Sequence, residues 1–163
     1  MPPRSARPRA AAALAALAWA GCGYGFTAGT ARLPKGADPV FVRPLENRTT
    51  DAEAGALVAA ALRQELARRG VEGGPAAPAR IEGAVERSTH APSSPGSATW
   101  RQAIDVEARR LVGEAVVAEQ RVHREEDYLG EVDALASEGR RRLALRRAAE
   151  AAAREIVERF ETP

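Results

Sequence analysis

Cys22 is the residue with the clearest chemistry in this 163-residue chain, and it is the chain's one cysteine. It follows the small pair Ala20-Gly21, the apolar run from Ala10 to Ala20 and a start that carries three arginines. This order of charged, apolar and small residues is typical of a bacterial signal peptide that is cut just before a cysteine. The thiol of that cysteine would form a thioether to a diacylglyceryl group. We therefore predict a lipoprotein signal peptide at residues 1–21 and lipidation at Cys22.

The length of the apolar run argues against a membrane-spanning helix here, because 11 residues rise about 16 Å and a bilayer core is about 30 Å thick. A lipid anchor also explains a lone thiol in an oxidising compartment. The same residues leave one alternative open, because Ala18-Trp19-Ala20 fits the small-x-small site of ordinary secretion. In that case the product would be a soluble periplasmic protein.

Residues that could carry catalysis are sparse and scattered. His90 and His123 fall on different predicted elements, and with no second cysteine they do not form a recognisable metal site. The cluster Glu125-Glu126-Asp127 lies on a predicted strand end, where consecutive side chains point to opposite faces. No glycine-rich phosphate loop and no Gly-x-Ser-x-Gly motif is present. We predict that the protein is not an enzyme and uses no metal or cofactor.

Length and charge limit the possible domain organisation. Removing residues 1–21 leaves 163 − 21 = 142 residues, enough for one domain with one core. The net charge of +2 includes the three arginines of the signal peptide, so +2 − 3 = −1 remains, which gives no reason to expect a nucleic-acid surface. Gly, Thr, Ala and Pro dominate the next segment. We predict a lipidated tether at residues 22–39 and a single domain at residues 40–163.

The spacing of apolar residues predicts six elements in the order β-α-β-β-β-α, because alternation indicates strands and recurrence at three and four indicates helices. Two helices can then pack on one face of a four-stranded, mostly antiparallel or mixed sheet, an α+β fold. The predicted elements are a strand at Val40–Val42, a helix from Thr50 to Gly70, a strand at Ile81–Val85, a loop at His90–Ser97, strands at Trp100–Ala108 and Val116–Val122 joined by a turn at Gly113-Glu114, and a helix at Ala134–Phe160.

Two finer features of the helices follow from the same patterns. Thr50 and Glu53 have the spacing of a capping box, in which a hydroxyl and a carboxylate satisfy free backbone N–H groups at a helix start. The final helix is predicted to bury one broad face that runs from Leu135 and Leu143 to Phe160.

The final helix also carries the arginine clusters Arg140–Arg142 and Arg146-Arg147. Such clusters could bind anions. Glutamates interspersed with them favour a solvated helix face instead.

Four stretches of the chain together resemble the lipopolysaccharide-assembly lipoprotein family, LptE. They are Gly21–Phe26, Leu33-Pro34, Pro44–Thr49 with the helix that ends at Arg68-Arg69-Gly70, and Ile81–Val85. The Asn47-Arg48-Thr49 turn before the helix is the most specific of them. With the alanine-rich final helix, they cover most of the mature chain.

The resemblance implies an outer-membrane protein that its N-terminal lipid anchors on the periplasmic side. Such a protein would lie inside the β-barrel of LptD, as a plug and assembly factor for lipopolysaccharide delivery. Family members also contact lipopolysaccharide directly, which makes lipopolysaccharide a candidate ligand here. Another envelope lipoprotein, acting as a binding or scaffold module, remains the alternative.

Arg87 and Arg101 flank the predicted Pro- and Ser-rich loop and are the candidate lipopolysaccharide contacts. Guanidinium groups suit bidentate contacts with phosphate, and a long loop between strands suits a contact surface. The competing hypothesis is a solvated hairpin end that binds no ligand.

Overall fold

The computed structural model describes residues 39–130 and 133–161, so the predictions for residues 1–21, for Cys22 and for most of the tether lie outside the described residues. Seven elements follow one another along the chain. They are β1 (Val40–Val42), β2 (Glu46–Asn47), α1 (Ala54–Arg68), β3 (Ala79–Pro92), β4 (Thr99–Val112), β5 (Ala115–Leu129) and α2 (Ala134–Glu161).

The strands form one mixed sheet in the order β1-β3-β4-β5. β3, β4 and β5 are joined by two antiparallel hairpins, whereas β1 and β2 both pair with β3 in parallel. The predicted α+β fold is therefore confirmed, with five strands in place of four. The additional strand β2 has two residues, and Pro44 lies in the gap between it and β1. Proline has no N–H to donate to a sheet, which interrupts this edge.

Both helices cover the same face of the sheet and run parallel to each other. At one end Arg142 of α2 lies 3.9 Å from Glu53, just before α1. At the other end Arg69, just after α1, pairs with Glu161 of α2. The core between the layers is aliphatic except for Phe160 and includes the fully buried Leu62.

The buried face of α2 differs from the prediction in its first half. Leu135 and Leu143 are exposed, and burial begins at Ala144 and Leu145 and recurs every four residues to Phe160. α1 explains the difference, because its N-terminal end lies level with Arg142. The turns of α2 before that point, which include Leu135, therefore have no helix beside them, and Leu143 does not belong to the buried series that starts at Ala144 and Leu145.

The predicted capping box is wrong. α1 begins at Ala54. Its N-cap residue, Glu53, makes no side-chain hydrogen bond to the helix, and Thr50 is exposed. The backbone carbonyl of Asp51 accepts a hydrogen bond from the N–H of Ala54 (3.2 Å) instead. A turn at Ala52-Glu53 precedes the helix, so the helix begins after Glu53 and not directly after Thr50.

The loop predicted at His90–Ser97 is also shorter than expected. β3 continues to Pro92 and β4 begins at Thr99, so the connection spans six residues. Arg87 and Arg101 consequently lie within long paired strands and do not flank a loop. In the part of the chain that the structure describes, no helix has both the length and the apolar character needed to cross a membrane.

Candidate functional site

The sheet face away from the helices is almost entirely polar. The residues of β4 show how this arises, because Ile104, Val106 and Ala108 are buried under the helices while Asp105 and Glu107 point to the opposite side. Period-two alternation separates the two sets. We call this exposed side of β3, β4 and β5 the polar surface.

A β-bulge places Arg87 on the polar surface. Val85 pairs with Val106, but the next pair along the strands is Arg87 with Asp105, so Glu86 is one extra residue in β3. A bulge reverses the side to which the following residues point. Without it, Arg87 would continue the alternation of Val85 and face the aliphatic core.

The centre of the polar surface is a chain of hydrogen-bonded charges. Arg87 Nε donates to Asp105, and Nδ1 of His123 lies 2.6 Å from the other Asp105 oxygen. Nε2 of His123 lies 3.0 Å from Glu125, and Glu125 lies 3.2 Å from a guanidinium nitrogen of Arg101. The two candidate arginines are therefore connected through three other side chains.

The electrostatics of this chain follow from the alternating charges. Hydrogen bonds to Glu125 and then to Asp105 favour the imidazolium form and raise the pKa of His123. Partial burial alone would raise the pKa of Asp105, but hydrogen bonds from His123 and Arg87 outweigh it and lower that pKa. The hydrogen bond to Asp127 is the main cause that raises the pKa of Arg101. Each charge is thus held by a neighbour of opposite sign.

A hollow of about 580 Å³ adjoins the Arg87 end of the charge chain. Arg48, Glu86, Arg87 and Arg121 are among the residues that line it, whereas Arg101 is not. Arg48 belongs to the Asn-Arg-Thr motif and pairs with Glu86 at 2.8 Å. The structure therefore brings Arg87 together with a motif residue that the sequence analysis had not considered as a site residue.

The Asn-Arg-Thr turn holds Arg48 in place. Oδ1 of Asn47 accepts hydrogen bonds from the N–H (3.1 Å) and the hydroxyl (2.8 Å) of Thr49. Nδ2 of Asn47 donates to the backbone carbonyl of Asp51 (2.7 Å). One amide side chain thereby closes the turn from both directions, which is the role that asparagine often has in turns.

We expect Asn47→Ala to lower the free energy of unfolding by about 1–2 kcal/mol, because it removes three hydrogen bonds of the turn. Thr50→Ala should change it by less than about 0.5 kcal/mol, because Thr50 is exposed and caps no helix. Urea denaturation of both variants checks this pair. A larger loss in Thr50→Ala than in Asn47→Ala would contradict the turn described here.

His123 gives the polar surface a pH-dependent contribution to stability. Because the folded protein raises the pKa of His123 above 6.5, its contribution is fully present below that pH and is lost as pH rises through the raised pKa. We expect the stability difference between the parent and His123→Gln to shrink as the pH rises above about 6.5. It should stay under about 1 kcal/mol, because solvent screens a half-exposed ion pair.

Denaturation curves at several pH values measure this difference. His90→Gln is the control, because the His90 ring contacts Trp100 and has no carboxylate partner among the described residues. A difference for His123→Gln that grows with pH would contradict the expectation.

The fold and this surface define a small α+β domain that presents paired charges on one side of its sheet. In the described ranges, no group of three or more His, Cys, Asp or Glu side chains could hold a metal ion. The family model for lipopolysaccharide assembly, LptE, matches residues 37–160, well over half of the chain. The chain belongs to the LptE family of lipopolysaccharide-assembly lipoproteins.

Solved structures share this fold at low sequence identity. A putative lipoprotein from Caulobacter crescentus is 22% identical, with a TM-score of 0.57 and coverage of 73% of this chain and 88% of that chain. The PelC dodecamer subunit from Paraburkholderia phytofirmans is 18% identical (TM-score 0.53, coverage 74% and 86%). Protein XCC0632 from Xanthomonas campestris is 12% identical (TM-score 0.56, coverage 77% and 84%). The comparison with curated proteins gives no match.

Proposed function

We propose that this protein is a non-enzymatic outer-membrane lipoprotein, anchored through Cys22 on the periplasmic side. It acts as the plug and assembly factor of an LptD-like barrel in lipopolysaccharide delivery. The match of the LptE family model over residues 37–160 carries the proposal. The signal-peptide pattern before Cys22 supports the anchor, with residues 22–39 as the tether and residues 40–163 as the domain.

We further propose that Arg87 and Arg101 contact lipopolysaccharide phosphates. The side chain of Arg87 is 63% exposed, and its ion pair with Asp105 engages Nε, which leaves guanidinium N–H groups free for an anion. Arg101 is 43% exposed and is held by Glu125 and Asp127, so a phosphate must compete with two carboxylates for it. Arg87, beside the hollow and Arg48, is therefore the stronger contact of the two.

Two measurements on Arg87→Ala/Arg101→Ala test the proposal: lipopolysaccharide binding by the full chain, and co-purification of the barrel. We expect lipopolysaccharide binding to fall about tenfold, the loss of roughly 1.4 kcal/mol of charge-assisted hydrogen bonding. Arg43→Ala/Arg109→Ala, on the same sheet, should bind as the parent does. Unchanged binding in Arg87→Ala/Arg101→Ala would remove both arginines from the ligand site, and loss of the barrel alone would assign them to the protein interface.

The anchor and the partner need separate tests. A palmitate analogue should label the parent in cells but not Cys22→Ala, and equal labelling of the two would exclude lipidation at Cys22. A pull-down through a C-terminal tag should recover a large barrel protein that mass spectrometry identifies. Recovery of other envelope machinery without a barrel would favour the alternative, a binding or scaffold module.

A further inference from the structure

The three long strands run on past the N-terminal end of α1, which leaves part of the helix-facing side of the sheet uncovered. Along β3 the residues on that side become more accessible: Val85 is fully buried, Ser88 is half-buried and His90 is exposed. Trp100 of β4 and Tyr128 of β5, which pair with each other, are also half-buried. Three ring-bearing side chains therefore lie where the cover of α1 ends.

Two adjoining hollows form a groove at this end of the domain. Their volumes are about 330 and 380 Å³, and His90, Glu138 and Arg141 line both of them. Trp100 and Tyr128 line the first. Each hollow has the size of a small-molecule site, about 300–1,000 Å³. We call the two hollows together the end groove.

Trp100 is held in place by its neighbours. Its ring centroid lies 6.1 Å from that of His90. The backbone of Gly130 approaches the same indole so closely that a Cβ on Gly130 would lie 2.7 Å from Nε1 of Trp100. A side chain that is already fixed loses little conformational entropy when a ligand binds to it. Trp100 is therefore suited to be a rigid platform for a ligand.

The charges of the end groove disfavour an anionic ligand. Among the described residues that line it, histidine aside, three carboxylates outnumber two guanidinium groups; they are Asp51, Glu53 and Glu138 against Arg141 and Arg142. Arg141 already donates hydrogen bonds to Asp51 and Glu138. A phosphate group would therefore meet a net negative charge here.

The polar lining equally disfavours an acyl chain. Ser88 lines the groove and accepts a hydrogen bond from Nε2 of Gln102 at 3.0 Å. Oε1 of Gln102 is buried and has no hydrogen-bond partner among the described residues. An acyl chain would take water away from Ser88 and Asp51 without replacing its hydrogen bonds. The groove instead suits an uncharged ligand that combines an apolar face with hydroxyl groups.

We propose that the end groove binds a saccharide ring, stacked on Trp100. One face of a pyranose carries C–H bonds, whose partial positive charge suits the negative face of an aromatic ring. The hydroxyl groups around the ring can donate to the remaining lone pairs of Asp51 and Glu138. A saccharide thus uses both the aromatic and the polar residues of the groove.

In the proposed function the saccharide is the core of lipopolysaccharide, and for this source the inference rests on that function. Lipopolysaccharide is the cargo of the barrel, so a plug domain would meet it inside the barrel. Arg101 follows Trp100 in β4 and lies on the polar surface, on the other side of the sheet. Around the edge strand β5, one lipopolysaccharide molecule could place a phosphate at Arg101 and a sugar ring at Trp100.

The test uses the mature, lipidated protein in detergent and dephosphorylated core oligosaccharide released from lipopolysaccharide. A disaccharide fragment of peptidoglycan is the second glycan, and inorganic phosphate is the anion control. The fluorescence of Trp100 reports on the groove, because the other tryptophan, Trp19, lies in the predicted signal peptide. Saturation-transfer NMR measures glycan binding in variants that lack Trp100.

We expect the core oligosaccharide to shift the emission of Trp100 to shorter wavelength, because a stacked sugar displaces water from the indole. Inorganic phosphate should cause no shift. The Kd should rise about tenfold in Trp100→Leu but less than about threefold in Trp100→Phe, which keeps an aromatic face. Tyr128→Leu should also weaken binding and serves if Trp100→Leu does not fold. Thr89→Ala changes the opposite side of β3, next to His90, and should bind as the parent does.

Three results would overturn the proposal. One is the absence of both an emission shift and saturation transfer with either glycan. Another is an equal Kd in the parent, Trp100→Leu and Tyr128→Leu. The third is a shift on addition of the barrel alone, with no glycan binding to the free protein, which would assign the groove to a segment of the barrel.

Co-purification of the barrel separates this inference from the proposed function. A protein that retains the barrel but binds neither glycan would contradict the saccharide site alone. Binding of the peptidoglycan fragment without binding of the core oligosaccharide would support the saccharide site and contradict its lipopolysaccharide source.

Discussion

Gly83→Ala is expected to destabilise the domain by about 3 kcal/mol or more, at the upper end of what overpacking costs. A Cβ at this position would lie 2.0 Å from the carbonyl oxygen of Glu107 and 3.0 Å from Cα of Ala108. Both atoms belong to the backbone of β4, so no side-chain rotation relieves the overlap. β3 and β4 would have to separate at the middle of the sheet.

The control for this substitution is Gly74→Ala in the loop before β3. A Cβ on Gly74 would meet no atom within 4 Å, so the change should stay within about 0.5 kcal/mol. Urea midpoints and the yield of folded protein measure both variants. Similar midpoints for the two would mean that β4 does not approach Gly83 as closely as described.

Arg141→Ala is expected to lower the free energy of unfolding by about 2–3 kcal/mol. Arg141 is 18% exposed and donates to the 11% exposed Asp51 at 2.7 Å, while two further hydrogen bonds reach Glu138 at 2.8 and 2.9 Å. Removal of Arg141 leaves the Asp51 charge enclosed without its cation. The substitution therefore weakens the link between the Asn-Arg-Thr turn and α2.

Arg142→Ala provides a matched control on the next residue of the same helix. Arg142 also bonds Glu138, at 3.0 Å, but it is 57% exposed and comes no closer than 3.9 Å to Glu53. Its loss should cost less than about 1 kcal/mol, as for other surface pairs. Equal losses in the two variants in urea denaturation would show that the Asp51 contact contributes nothing.

The same cluster predicts a response to acid. The hydrogen bond from Arg141 is the main cause that lowers the pKa of Glu138 from 4.5 to about 2. The contribution of Glu138 to stability is therefore present above pH 4.5 and is lost as pH falls through about 2. Arg141→Ala should flatten the stability curve over that interval.

The sequence was sufficient to predict the order of the long elements, because each has a period that tertiary contacts reinforce. Ile81–Val85 and Trp100–Ala108 alternate as half-buried strands do, and the first helix has a stripe at three and four. These elements build the α+β fold that the structure confirms. The two-residue strand β2 has no such signal, since Glu46 and Asn47 pair with β3 only because the sheet is already there.

The site was less predictable because it depends on a single inserted residue. The bulge at Glu86 changes which residues of β3 face the helices, and the Arg87–Asp105 pair results from it. The consecutive polar residues Glu86 and Arg87 after a strictly alternating run are the one signal in the sequence. A second bulge, between Arg110 and Leu111, shifts the register of β4 against β5 beyond the predicted strand end at Ala108.

The predictions for the helix ends were wrong for a different reason. The Thr50/Glu53 spacing fits a capping box. Hydrogen bonds within the Asn-Arg-Thr turn hold the chain in another conformation, so the helix begins only at Ala54. The exposed first turns of α2 likewise follow from the position of α1, which no local pattern in α2 encodes. Both errors show tertiary structure overriding a local preference.

The parallel course of the two helices has a consequence for the order in which this protein can fold. Eight residues of the buried core, from Leu145 to Phe160, lie on α2, and α2 packs against α1, which precedes it by three long strands. Such distant contacts close a large loop and are slow to form. A nascent chain therefore cannot complete its core before α2 has emerged. We expect the domain to remain unfolded until α2 can dock beside α1.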